Sequence, residues 1–301
     1  MRVFITGASG HIASAVIPEL ISHGHQVVGL ARSEEAARAI TARGAEVRRG
    51  ELDDLDGLRQ AAAESDGVIH LAFKHEAVQT GDFQGAADAD TAAITVIGDA
   101  LAGSERPFVS TGGTLMLALG GVSGRPGTEE DALPGGPRID SENMLIALAQ
   151  RGVRSSQVRL APMVHSDLDK HGFTPALIAM AREHGAAAYI GDGANRWPAA
   201  HTRDIAVLYR LALERAPAGS RLHGVGDEGI PFRTIAQTIA DQLGVGTVSV
   251  SPEEAPMRLS YLASFAGIDN PTSNARTREL LGWEPTHPDW VSDVRAGHYF
   301  G

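Results

Sequence analysis

Along the first 162 positions, short apolar runs alternate with amphipathic stretches, the pattern of strands and helices wound around a parallel sheet. Arg2–Thr6 has the composition of a buried strand. It runs into His11–His23, where Ile12, Val16, Leu20 and Ile21 recur at helical spacing. Gln26–Ala31 predicts a second strand, followed by a helix through Arg43 with Ser33 as its N-cap. Further strands are predicted at Val47, Val68–Phe73, Phe108–Thr111 and Arg154–Leu160. Helices are predicted over Leu55–Ala63, Thr91–Leu101 and Ser141–Gln150. Six strands with helices between them predict an α/β fold with a doubly wound parallel sheet.

Beyond Pro162 the regularity loosens. Helical stretches at Pro175–His184, Asp204–Glu214 and Phe232–Leu243 alternate with turn-rich segments such as Gly191–Ala194. Residues 1–162 therefore read as a nucleotide-binding domain and 163–301 as a smaller, partly interleaved α/β lobe for substrate. The part near 200–225 is expected to return to the first domain. Residues 112–137, rich in Gly and Pro, read as a long loop. Loops of that length usually carry function or motion.

Composition narrows the classes. A net charge of −11 argues against a nucleic-acid binder, which needs a basic footprint. The absence of cysteine excludes a disulfide framework, thiolate catalysis and a zinc-thiolate site, and fits a reducing cytoplasm. No secretory signal is expected from MRVFIT, and no stretch approaches the ~20 apolar residues of a membrane span.

The strongest local signal is Thr6-Gly7-Ala8-Ser9-Gly10-His11-Ile12-Ala13, directly after a strand and opening a helix. Gly7 allows a tight turn, Gly10 lets backbone approach a pyrophosphate, and the helix N-terminus offers free N–H groups to that anion. This is a Rossmann arrangement. At the end of the second strand stands Arg32-Ser33, 25 residues after Gly7, with no acid among residues 29–33. An acid there would take the ribose 2′-hydroxyl of NAD; an arginine accommodates the 2′-phosphate of NADP. The expected cofactor is NADP(H).

The motifs that follow resemble those of extended short-chain dehydrogenases/reductases, the group that includes sugar-nucleotide epimerases and many carbonyl reductases. Gly50-Glu51-Leu52 resembles the family's adenine-side segment, with Glu51 in place of the usual Asp. His70-Leu71-Ala72-Phe73 resembles the strand end that lines the cofactor, with Lys74 and His75 next to it. Arg159-Leu160-Ala161-Pro162 resembles the segment that contacts the nicotinamide side. Gly191-Asp192-Gly193, Trp197 and His201-Thr202-Arg203-Asp204 resemble the substrate-lobe run, and Leu280–Pro285 the C-terminal motif. The likeness covers nearly the whole chain and implies that homodimers are common among such proteins.

The catalytic motif departs from the family. Its Tyr-x-x-x-Lys, with a Glu four residues after the Lys, would place Lys at Arg138 and Tyr at Pro134, counting back from Glu142. None of Tyr189, Tyr209, Tyr261 and Tyr299 has a Lys four residues later, and Gly112 stands near the family's serine. Arg138 can bind the nicotinamide ribose and stabilise an alkoxide, but it is no ordinary acid. His165, three residues after Pro162, is a candidate to face the nicotinamide and titrate. Thr111, at the end of the fifth strand, is a candidate cofactor or substrate contact. Asn195, Arg196 and Trp197 are candidates to shape a substrate pocket. His201 and Asp204 lack a second carboxylate or histidine at ligand spacing, so no metal is expected.

The leading reading is an NADPH-dependent reductase of a small carbonyl-type substrate. A sugar-nucleotide epimerase or dehydratase holding NAD is the second reading, and a non-catalytic NADP(H) sensor the third.

Overall fold

The computed structural model describes residues 1–79 and 81–300. Thr80 and Gly301, which fall within the expected segments 1–162 and 163–301, lie outside them. The strands are β1 Arg2–Thr6, β2 Gln26–Ala31, β3 Glu46–Arg49, β4 Gly67–His70, β5 Pro107–Gly113 and β6 Arg154–Leu160. They continue as β7 Met163–His165, β8 Ala186–Ile190, β9 Arg196–His201, β10 Ser220–Gly224, β11 Asp227–Pro231 and β12 Gly246–Val250. The main helices are α1 His11–Ser22, α2 Glu34–Ala42, α3 Leu55–Ala63, α4 His75–Gln79 and α5 Phe83–Leu101. After them come α6 Leu115–Leu119, α7 Ile139–Ala147, α8 Phe173–His184, α9 Thr202–Arg215 and α10 Phe232–Leu243.

Seven strands form one sheet in the order β3-β2-β1-β4-β5-β6-β10, and every pairing in it is parallel. Both faces are covered, so its strands are apolar at successive positions. Val3 and Ile5 pack with Val16, Ile17, Leu20, Ile205 and Leu208, from α1 and α9. Phe4, Val68 and Phe108 point the other way, onto Leu58, Ile94, Ile97 and Leu145 of α3, α5 and α7. α9 and β10 come from the C-terminal half, so residues 202–224 belong spatially to this sheet layer.

Three differences from the sequence reading bear on the site. α5 starts at Phe83 instead of Thr91, because Asp82 caps it by accepting from Gly85 N at 2.9 Å. Its first turns are rich in Ala, Gly and Asp, which carry little hydrophobic periodicity. β4 ends at His70, leaving Leu71–Phe73 as an irregular ledge. Residues 112–137 are not a free loop. β5 pairs with β6 as far as Gly113 opposite Leu160, and Leu117, Leu133 and Ile139 form a small apolar cluster. Gly127 is tied to the C-terminal half by Gly127 N donating to Pro271 O and Ser273 N donating to Gly127 O, both at 2.8 Å.

The second lobe has a three-stranded sheet, β11-β9-β7, and a parallel pair, β12-β8. Its own core gathers Trp197, Phe232, Ile235, Leu262 and Trp290. No described helix is long and apolar enough to cross a membrane.

Candidate active site

Gly7–Gly10 turn the chain at the C-terminal edge of the sheet, beside the point where strand order reverses between β1 and β4. That crevice is where open α/β sheets bind ligands. Gly7 has φ +66°, and a Cβ there would lie 2.7 Å from Ala72 N, so only glycine fits. No side chain caps α1, and its first turn holds no acidic residue. Its N–H groups and dipole are thus open to an anion. Arg43, at the far end of α2, donates to Ala8 O at 2.6 Å and Ser9 O at 3.1 Å, bracing the turn from below. The sequence reading missed it, because nothing local marks an arginine more than 30 residues away. Ala8 is buried and Ser9 exposed, while Ile12 packs on the α1/α9 side of the core. His11 turns its ring toward the second lobe, with Nε2 2.9 Å from Thr202 Oγ1 and Nδ1 3.7 Å from Asp169.

At the end of β2, Arg32 is exposed and its Nη2 lies 2.6 Å from Glu76 Oε1 on α4. Lys74 Nζ lies 2.7 Å from both carboxylate oxygens of Asp53, just beyond β3. Ser33 Oγ accepts from Ala36 N at 3.1 Å, so it caps α2. Glu51 is exposed, and the side chain of Leu52 packs on the α3/α5 side of the core. Leu71 and Ala72 form the ledge against which Gly7 closes.

Phe73, Thr111 and Arg138 meet in a second cluster. The Arg138 guanidinium stacks 3.9 Å over the Phe73 ring and donates through Nη2 to Thr111 O at 2.6 Å. Arg138 precedes α7 in the left-handed conformation, φ +68°, which is costly for a side chain and is held by these contacts. Burial lowers its pKa from the ordinary value, an effect partly offset by the charges of Asp90 and Glu142. Thr111 Oγ1 donates to His70 O at 2.8 Å, and the Tyr209 hydroxyl lies 2.7 Å from it. Tyr209 is fully buried on α9, and burial pushes its pKa well above the ordinary value. The hydroxyl of Thr111 therefore faces the interior. His75 is exposed, with its ring edge-on to Phe73 at 5.3 Å.

A buried polar chain runs from the Leu71–Phe73 ledge toward Arg138. Ala72 N donates to Thr6 Oγ1 at 3.2 Å, and Thr6 Oγ1 lies 2.7 Å from His70 Nδ1. His70 Nε2 lies 3.1 Å from Asp90 Oδ1, and Ser141 Oγ donates to Asp90 Oδ2 at 2.8 Å. Burial pushes the Asp90 carboxyl up, but His70, Arg138 and Ser141 together hold it below its ordinary value. No sequence motif pointed to Asp90 or Tyr209. Their partners lie 20 and 98 residues away along the chain.

Other expected contacts are placed elsewhere. His165 is fully buried in β7 with Nδ1 2.8 Å from Asp293 Oδ2, away from solvent. Arg159 turns inward. It donates to both oxygens of Glu142, at 2.9 and 2.5 Å, and to Asp131 O at 2.8 Å, leaving the half-buried Pro162 at the strand end. Asn195, Arg196 and Trp197 bond within the second lobe. Asn195 donates to Ala266 O and Ile268 O, Arg196 pairs with Asp269, and the buried Trp197 donates to Ile268 O. These bonds hold the lobe together.

His287 joins His201 and Asp204, their ligating atoms within 4.8 Å of one another, a third donor that chain spacing hid. Yet Asp204 already accepts from Thr286 N and His287 N and lies 2.7 Å from His287 Nδ1. The two imidazoles stack 4° from parallel with centroids 4.6 Å apart.

A family model described as NAD(P)H-binding matches residues 7–113. An uncharacterized protein of Schizosaccharomyces pombe is 44% identical over 302 residues, covering all of both chains. Another, of Saccharomyces cerevisiae, is 41% identical over 301 residues and 99% of both. A farnesyl-dihydroquinoline-oxide ketoreductase of Stigmatella aurantiaca is 27% identical over 254 residues, 81% of this chain and 74% of that one. UDP-glucose 4-epimerase of Thermotoga maritima superposes with a TM-score of 0.79 at 18% identity, covering 100% of this chain and 98% of that one. The chain belongs to the extended short-chain dehydrogenase/reductase family, whose members bind NAD(P) and include oxidoreductases and epimerases.

Proposed function

We propose that the protein is an NADP(H)-dependent reductase of a small carbonyl compound. The observation that carries the reading is Arg32, an exposed guanidinium just beyond β2 with no acid among residues 29–33. The Gly7 cradle and the uncapped start of α1 fit a pyrophosphate, and Arg32 fits a 2′-phosphate. The bound dinucleotide supplies the hydride. Arg138 remains a cation and stabilises negative charge growing on the substrate oxygen, the electrostatic part of what a Tyr–Lys pair does. It does not give up a proton, so the alkoxide is protonated from solvent.

Calorimetric titration with NADPH, NADP, NADH and NAD tests the cofactor reading. Arg32→Ala is expected to weaken NADPH at least about tenfold and leave NADH unchanged, since charge-assisted hydrogen bonds contribute ~1.5–3 kcal/mol. NADPH oxidation across a panel of ketones, aldehydes and imines tests the chemistry. One observation favours a cofactor-sensing role as a second reading. The Thr111 hydroxyl and the Arg138 guanidinium are both engaged by protein acceptors. Tight NADPH binding with no oxidation across the whole panel selects that role.

A further inference from the structure

We infer that Glu76 sets the protein's discrimination between phosphorylated and unphosphorylated dinucleotides, by holding Arg32 in an ion pair that a 2′-phosphate has to displace. The inference rests on the reading of Arg32 as the 2′-phosphate contact. Arg32 Nη2 and Glu76 Oε1 are 2.6 Å apart although 44 residues separate them. Two residues before Glu76, Lys74 pairs with Asp53 at 2.7 Å. The segment after β4 is therefore latched at Lys74 to the end of β3 and at Glu76 to the end of β2. These are the strand ends between which adenosine lies in this type of fold.

The chemistry around Arg32 is balanced against a phosphate. Glu51 adds a second negative charge near the guanidinium, and both it and Glu76 raise the arginine's pKa. The nearby hydroxyl of Ser33 is engaged in capping α2. Arg49, the next guanidinium, is held by Ser33 O at 2.9 Å and Glu34 at 2.5 Å. An incoming 2′-phosphate thus meets one guanidinium already facing carboxylates. The pair is separable, because its side chains are 68% and 78% exposed and an ion pair so exposed holds weakly. A dinucleotide with a free 2′-hydroxyl has no need to displace Glu76. The carboxylate therefore lowers affinity for NADP(H) and leaves NAD(H) alone, narrowing a preference that Arg32 creates.

The test is calorimetric titration of the full chain with NADPH and, separately, NADH, on wild type, Glu76→Gln, Arg32→Ala and the double variant. Thermal unfolding confirms that each variant folds. Glu76→Gln is expected to tighten NADPH about two- to five-fold, the range of exposed pairs, and to leave NADH unchanged. The gain disappears in the Arg32→Ala background and shrinks as salt rises. Equal tightening of both dinucleotides, a gain that survives Arg32→Ala, or weaker NADH binding would each overturn the inference. If Arg32→Ala weakens NADPH while Glu76→Gln does nothing, the latch alone fails. If Arg32→Ala leaves NADPH unchanged, the 2′-phosphate reading fails and takes the latch with it.

Discussion

The glycine-rich turn and the cluster around Arg138 sit along the same edge of the sheet but are built in opposite ways. The turn is a matter of backbone. Eight consecutive residues supply it, its one indispensable side chain is a missing one, and Arg43 braces it through carbonyl oxygens. The Arg138 cluster is a matter of side chains drawn from β4, β5, α5, α7 and α9, and it rests on buried charge. Behind it, Glu142 is held by Arg159 and by Arg221 at 2.7 Å, with His223 3.3 Å from Arg159. A site made of backbone tolerates change everywhere except at its strained position. A site made of buried charges depends on every partner at once.

That contrast can be broken most decisively at Glu142. Glu142→Gln leaves the buried Arg159 without its counter-charge, and a loss of about 3–5 kcal/mol is expected in denaturant unfolding. Dinucleotide binding by whatever remains folded should persist. A loss under 1 kcal/mol would mean that the cluster does not depend on its charges.

Next in size is Gly7→Ala. The positive φ and the approach to Ala72 cost about 1–3 kcal/mol, and NADPH binding measured by calorimetry should fall below detection. Gly24→Ala is the control. Gly24 has φ +80° but nothing within 4 Å of an added Cβ, so a loss of about 1 kcal/mol with unchanged binding is expected. Equal binding by both variants would show that the turn is not where the anion sits.

The smallest effect is on pH dependence. Burial pushes His223 down to about 4, so the folded chain keeps it neutral, whereas the unfolded chain protonates it below its ordinary value of 6.5. Its contribution is complete above that value and is lost as pH falls from there toward 4. Stability should therefore fall as pH is lowered from 7 toward 5. His201, also pushed down to about 4 mainly by burial, adds in the same direction. Unfolding midpoints from pH 7 to pH 5 read the slope, and His223→Gln should flatten it. An unchanged slope in that variant would assign the acid sensitivity to other groups.

The same contrast explains what could be read from the chain alone. The six expected strands all appear in the parallel sheet, because hydrophobic runs and helical periodicity are local properties. The turn was legible for the same reason. α5 was cut short because an Asp cap and an alanine-rich start leave little periodic signal. The strands of the second lobe escaped notice because they are short and lie between helices of stronger pattern.

Sequence by itself therefore determined the family, the sheet and the glycine turn, all of which are written within a few neighbouring positions. Tertiary structure decided that Phe73, Thr111 and Arg138 form one cluster and that His165 and Arg159 turn inward. It also decided that Glu76 reaches Arg32 and that His287 joins His201 and Asp204 in one junction. The physical reason is direction. A side chain's partner is set by where its strand or helix points in the folded molecule, and spacing along the chain does not carry that information across 20 to nearly 100 residues.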